Sequence, residues 1–239
     1  MGILFLVRHA QASFLEDNYD KLSALGEMQA RLLGEYWARR NLVFDRTCVG
    51  PCVRQQDTLK IVSDAYAKAG FEFPEPLLLP EFDEYQGEAV LKRSLPQLLE
   101  SDPRIRDLHA AFQSAAGNAE QRVTFQKLFE AVISDWVRCA ICPQGVETWL
   151  EFCSRVNSGL VRFLSACARG ERVAIFTSGG PIAVAMQRAL RLSPESTLQV
   201  SWMSRNSSWS EFLYSADRFT LSSFNAHGHL DDPAMLTHR

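Results

Sequence analysis

The chain has 239 residues with 25 basic and 28 acidic side chains, a formal net charge of −3, and is 46% hydrophobic and 22% charged. That balance excludes a disordered polyanion and a basic nucleic-acid binder and is ordinary for a globular protein. At roughly 150 residues per domain the length fits one large domain or two small ones, either able to bury a sizeable core.

The first apolar run, positions 2–7, is too short for a membrane span or a signal-peptide core and meets Arg8 and His9 at once. Position 6 is Leu where an N-myristoylation motif needs Ser or Thr, so no lipid anchor is expected and a cytoplasmic address is the default. The pentad Ile3-Leu4-Phe5-Leu6-Val7 has the continuous apolar pattern of a strand covered on both faces, which belongs in a parallel sheet flanked by helices. Leu25, Met28, Leu32, Leu33, Tyr36 and Trp37 follow at helical spacing, with Ser23 as N-cap. A short strand at 47–49, a Gly50-Pro51 turn, a helix carrying Val53, Ile61, Val62, Ala65 and Tyr66, and a third short strand at 77–79 come next.

From about 88 to 141 the pattern is helical with polar connections, for example 91–99 and 125–137, and holds no convincing strand. An amphipathic helix over 148–167 leads to a second strongly apolar strand, 172–176. Thr177-Ser178-Gly179-Gly180-Pro181 and a helix through Leu190 follow it, and 209–214 pairs with 219–224 as a hairpin. There is no internal repeat and no low-complexity linker. These elements predict one α/β domain over 1–239: a three-layer sandwich whose mostly parallel sheet is flanked by helices, with a helical insertion over its carboxyl edge.

Six cysteines, Cys48, Cys52, Cys139, Cys142, Cys153 and Cys167, without an export signal, argue for reduced thiols rather than a disulfide framework. Cys139-Ala-Ile-Cys142 has metal-ligand or redox spacing but lacks the second close pair of a zinc ribbon, so structural thiols are expected and no metal is assigned.

In open α/β sheets ligands gather beyond the carboxyl ends of strands, and here the two most apolar strands end in Arg8-His9 and in Ser178-Gly179-Gly180. The glycines allow close backbone approach, and the helix after them offers N–H groups and a positive dipole end to an anion. Arg54, at the start of another helix after a strand, is a cation opposed to the helix dipole and so calls for an anion nearby. Two arginines, a histidine and a helix N-terminus can thus converge on one phosphate. Taken singly, each has a plainer reading: a hydrogen-bonded strand-end histidine, an exposed arginine, a tight Gly-Gly-Pro turn. Phe14, Tyr19 and Tyr85 are either core aromatics or the lining of a pocket mouth.

Leu6-Val7-Arg8-His9-Ala10, Leu22-Ser23-Ala24-Leu25-Gly26 with Gln29-Ala30, Arg54-Gln55-Gln56-Asp57-Thr58, Glu147-Thr148-Trp149 with Arg155-Val156, and Ser178-Gly179-Gly180 occur in order along the chain. As a set they resemble the histidine phosphatase superfamily, its phosphoglycerate-mutase-like branch. The resemblance implies phosphoryl transfer through a phosphohistidine, with His9 as nucleophile and Arg8 and Arg54 holding the phosphate. Gln11, Ser13, Ser178 and Gly179 are further candidate substrate contacts. A glutamate after the third strand would protonate the leaving group, with Glu84 preferred and Glu81 the alternative. Ala10 stands where the family usually has glycine, and Ser178 where it usually has a second histidine. His227 and His229 are other sources of that imidazole. The implied activity is hydrolysis of phosphomonoesters on a phosphorylated small molecule or a phosphoprotein, with no cofactor, no metal, no nucleic acid and no membrane partner. A second reading, motivated by Ser178, is a binding member that holds phosphate esters or a partner protein without turnover.

Overall fold

The apolar pentad lies in β1 (Gly2–Arg8), buried everywhere except at Ile3, which is partly exposed. In a computed structural model describing residues 1–13, 20–118 and 120–238, β1 pairs in parallel with β4 (Arg172–Thr177). Beyond β4 lie β2 (Arg46–Val49) and the edge strand β3 (Pro76–Leu78), both parallel to it. On the other side β1 pairs antiparallel with β5 (Trp209–Tyr214), which pairs antiparallel with β6 (Phe219–Ala226). The order β3-β2-β4-β1-β5-β6 therefore joins four parallel strands to an antiparallel hairpin. The apolar patterning predicts both halves, and the sheet is mixed because the hairpin pairs with β1.

Helix α1 (Ala24–Arg39) begins where Ser23 Oγ accepts the Gly26 N–H at 3.0 Å, and α2 (Val53–Lys68) follows β2. Leu33 and Trp37 of α1 and Leu59, Val62 and Tyr66 of α2 share one core cluster with Phe5, Val7, Ala174 and Phe176. Because strand side chains alternate, the buried Leu4 and Leu6 face the opposite side of the sheet. Helix α7 (Gly179–Leu190) packs beside β1 and β6. Helix α8 (Pro194–Met203), which packs on α7, has no counterpart in the sequence reading: it buries only Thr197, Leu198 and Ser201, too little for a visible apolar period.

The chain divides into two units, Met1–Glu84 with Arg155–Arg239, and Tyr85–Ser154. The sheet belongs to the first. The second holds α3 (Gly87–Ser101), α4 (Pro103–Ser114), α5 (Gln121–Val137) and the start of α6 (Trp149–Ser165). Its centre is Trp136, whose ring lies 5.4 Å from Tyr85 and 5.5 Å from Trp149. Tyr85 is therefore a packing aromatic, while Phe14 and Tyr19 lie outside the described residues. Among the described residues no helix is long and apolar enough to cross a membrane.

Candidate active site

Four parallel strands deliver their carboxyl ends to one edge. Arg8 pairs with Thr177, and the His9 N–H donates to the Thr177 carbonyl at 2.8 Å, so the loops after β1 and β4 start side by side. On the far side of β4, the Gly50 N–H donates to the Phe176 carbonyl at 3.0 Å, placing the turn into α2 at that edge. The Leu79 N–H donates to the Val49 carbonyl at 2.8 Å, which brings the segment ending in Glu84 there too.

His9 is 4% exposed. Arg54 Nε–H can only donate, and it meets His9 Nε2 at 3.2 Å, so Nε2 carries the lone pair. The ring proton then lies on Nδ1, which donates to the Ala10 carbonyl at 2.7 Å. Burial first, then the positive charges of Arg54 and Arg8, hold the imidazole well below the ordinary histidine range, so it is neutral at physiological pH. A neutral imidazole whose lone pair accepts from a guanidinium can, once that bond is exchanged, act as a nucleophile beside an anion-binding group.

Arg54 is buried, and its charge is balanced: Nη1 bonds Asp20 Oδ1 at 2.6 Å. The same carboxylate accepts the Val53 and Arg54 backbone N–H groups at 2.8 and 3.3 Å, so Asp20 fills the N-terminus of α2. Arg8 directs Nη1 to the Ser204 carbonyl and Nη2 to the His238 carbonyl, the latter at 2.7 Å. Gln29, wholly buried, accepts the Gln11 N–H at 2.9 Å and donates to the Met235 carbonyl at 2.8 Å. It thereby ties the loop after His9 to the segment that reaches Arg8.

Gln11 and Ser13 are turned to local bonds. Gln11 Oε1 accepts from Ser23 Oγ at 2.8 Å, and Ser13 Oγ donates to the Leu22 carbonyl at 3.3 Å. Gly26 permits this packing, since a Cβ there would lie 2.1 Å from the Gln11 carbonyl oxygen. Ser178, wholly buried, is the N-cap residue of α7 without a side-chain capping bond, and its Oγ accepts from Gln55 Nε2 at 2.7 Å. A Cβ on Gly179 would meet the Ser201 carbonyl oxygen and Oγ at 3.1 and 3.2 Å and Arg8 Cζ at 3.8 Å, so α7 starts packed on Ser201 of α8 with the Arg8 guanidinium in van der Waals reach.

The two glutamates separate cleanly. Glu84 Oε2 accepts the Gly180 N–H at 3.1 Å, at the start of α7. Glu81 instead bonds Arg162 of α6 at 2.6 Å, with its Cβ position against Gly159. Arg155 donates to the Glu81 and Asp83 carbonyls at 2.8 and 3.3 Å and so braces the turn that presents Glu84. His229 is buried on Trp209 and Tyr36, its Nε2 is 2.8 Å from Ser207 Oγ, and burial followed by the charge of His227 lowers it to about 3. His227 Nδ1 bonds the Asn225 carbonyl at 2.8 Å. Asp20 and Gln55 are residues that sequence reasoning left without a role: Asp20 lies in no apolar pattern, and Gln55 stands in the motif at 54–58, where only Arg54 has an assigned role. No cluster of three or more His, Cys, Asp or Glu that could hold a metal occurs among the described residues.

The fold is shared with solved structures of low sequence identity. A phosphoglycerate mutase from Bacillus anthracis is 16% identical with TM-score 0.63, covering 96% of this chain and 95% of that one. A phosphoserine phosphatase from Entamoeba histolytica, solved with 3-phosphoglyceric acid, is 15% identical with TM-score 0.61, covering 96% and 100%. A mycobacterial glucosyl-3-phosphoglycerate phosphatase with inorganic phosphate is 15% identical with TM-score 0.63, covering 96% and 99%. No curated protein matches by sequence. The family profile of the histidine phosphatase superfamily (branch 1) matches residues 86–227, more than half of the 239, and the chain belongs to that family. The matched stretch contains Ser178 and Gly179, whereas Arg8, His9, Arg54 and Glu84 precede it.

Proposed function

We propose that the protein is a phosphatase that hydrolyses phosphomonoesters through a phosphohistidine on His9. The observation that carries this reading is the buried, neutral imidazole with its Nε2 lone pair facing Arg54. The family membership and the phosphatases and mutase of the same fold support it.

In this reading a phosphate monoester enters with its oxygens between Arg8, Arg54 and the start of α7. Arg54 Nε exchanges its bond to His9 for one to a phosphoryl oxygen, which releases the nitrogen lone pair. Nε2 forms a bond to phosphorus as the ester P–O bond breaks, and the leaving oxygen takes a proton from Glu84. Water then attacks phosphorus and gives its proton to Glu84, the N–P bond breaks, and inorganic phosphate departs. The guanidinium forks suit the equatorial oxygens, each well-aligned charge-assisted bond being worth about 1.5–3 kcal/mol. Ser178 stands where a second histidine is usual and offers a neutral hydroxyl. Gln11 and Ser13 shape the loop after His9, and Gly179 lets α7 start close to Ser201 and Arg8. The reading needs no metal and no nucleotide, takes a phosphorylated small molecule or a phosphoprotein, and treats 1–239 as one domain with a helical insertion, at a cytoplasmic address.

Asp20 and Glu84 occupy anion-attracting groups in the resting site, and this favours a second reading as a phosphate-ester or protein binder without turnover. Incubation with an aryl phosphate and a chelator separates the two. Phosphate release that His9→Ala abolishes supports the phosphatase; saturable binding without release supports the binder.

A further inference from the structure

Gln55 follows Arg54 on α2, is wholly buried, and has its side-chain amide held at both ends. The Cys52 N–H, which can only donate, meets Oε1 at 3.2 Å. The amide nitrogen must therefore face the other way, toward Ser178 Oγ at 2.7 Å and the Phe82 carbonyl at 3.4 Å. A flipped amide would set its nitrogen against an N–H and its oxygen against a carbonyl, so the partners dictate the orientation. Gly50 leaves room for this: a Cβ there would lie 2.2 Å from Gln55 Oε1.

A hydroxyl has one proton to give. Since Ser178 Oγ accepts from Gln55, that proton is turned away from the amide, and Ser178 does not spend its side chain on capping α7. Beside it, a Cβ on Gly179 would lie 3.8 Å from Arg8 Cζ, which places the start of α7 within reach of that guanidinium. We infer that Gln55 is a positioning residue: by donating to Ser178 Oγ it aims the Ser178 O–H at the phosphoryl oxygens between Arg8 and Arg54. The pair is then a neutral donor to the phosphomonoester dianion, at the position where a cationic imidazole is usual. This rests on the phosphatase reading above and goes beyond it, since it gives Ser178 a defined proton direction and Gln55 a role.

The test is a double-mutant cycle on the full chain with Gln55→Met, Ser178→Ala and the double variant, each checked for folding by thermal unfolding. Both single variants are expected to lower kcat about 10²–10³-fold, as for a lost or misaimed oxyanion donor, with KM within about twofold. The double variant should be no slower than Ser178→Ala. A Gln55→Met loss that recurs in full on the Ser178→Ala background overturns the inference, as does an unchanged rate in Gln55→Met. Should Gln55→Met not fold, Gln55→Glu decides: it keeps the acceptor for Cys52 N–H and draws the Ser178 proton inward, so it must match or exceed the Ser178→Ala loss, and a wild-type kcat refutes the role. A wild-type protein that releases no phosphate overturns the phosphatase reading alone. The same proteins titrated with inorganic phosphate then decide the pair: affinity losses that do not add support it, and equal affinity in all four contradicts it.

Discussion

Replacing Arg54 tests how much of the site depends on one guanidinium. Arg54 is buried, lies 3.2 Å from His9 Nε2, and in the proposed reaction gives two charge-assisted bonds to phosphoryl oxygens. At about 1.5–3 kcal/mol each, their loss in Arg54→Gln amounts to about 3–6 kcal/mol of transition-state stabilisation, or about 10²–10⁴-fold in kcat/KM. Arg54→Lys keeps the charge but not the fork and should retain one such bond, losing about 10–100-fold. A second effect has a definite sign. Arg54 is, after burial, the strongest influence lowering His9, so Arg54→Gln raises the imidazole toward the ordinary range. Because attack requires the neutral ring, the acid limb of the kcat/KM profile moves to higher pH in Arg54→Gln and less in Arg54→Lys. Steady-state kinetics on an aryl phosphate across the acid and neutral range measure both effects. A loss under tenfold in Arg54→Gln, or an acid limb that stays put, would refute the reasoning.

Glu84→Gln should lower kcat by about 10²–10⁴-fold on an alkyl phosphate and much less on an aryl phosphate, whose leaving group needs no proton. Glu81→Gln removes a bond to the largely exposed Arg162, so it should leave kcat unchanged and cost under about 1 kcal/mol in urea unfolding. His229 titrates near 3 in the folded chain against 6.5 ordinarily, so its neutral form stabilises the fold fully above 6.5, and that stability is lost as pH falls. At pH 5 the loss is about 2 kcal/mol, and His229→Gln should shrink the difference in unfolding free energy between pH 8 and pH 5 by that amount. An unchanged difference would show that His229 is not the group responsible.

Much of the fold and of the candidate site was legible because the candidate residues sit where patterning is strongest. The pentad before Arg8 and the run before Ser178 are continuous apolar strands, and such strands lie centrally, so their ends were bound to be neighbours. Arg54 was marked by its mismatch with a helix N-terminus. That mismatch has a local answer which no spacing predicts: Asp20, from outside any regular element, bonds both the helix start and the guanidinium. Glu84 and Glu81 are alike in sequence and part only in three dimensions, where the short turn at Pro80–Phe82 sends one to α7 and the other to Arg162. Gln55 was hidden for a related reason, because a buried amide satisfied by backbone and hydroxyl partners leaves no signature in hydrophobic period. The tie of Gln29 to Met235 joins residues some two hundred positions apart, beyond the reach of any local pattern.

The most direct trial of the account is to quench the protein during turnover of a phosphate monoester and locate the covalent phosphate by mass spectrometry under alkaline conditions, which preserve phosphohistidine. An acid-labile phosphoryl group on His9, absent from His9→Ala, is the predicted result. Turnover with no phosphoryl group on residue 9, or with the label on another side chain, would contradict it.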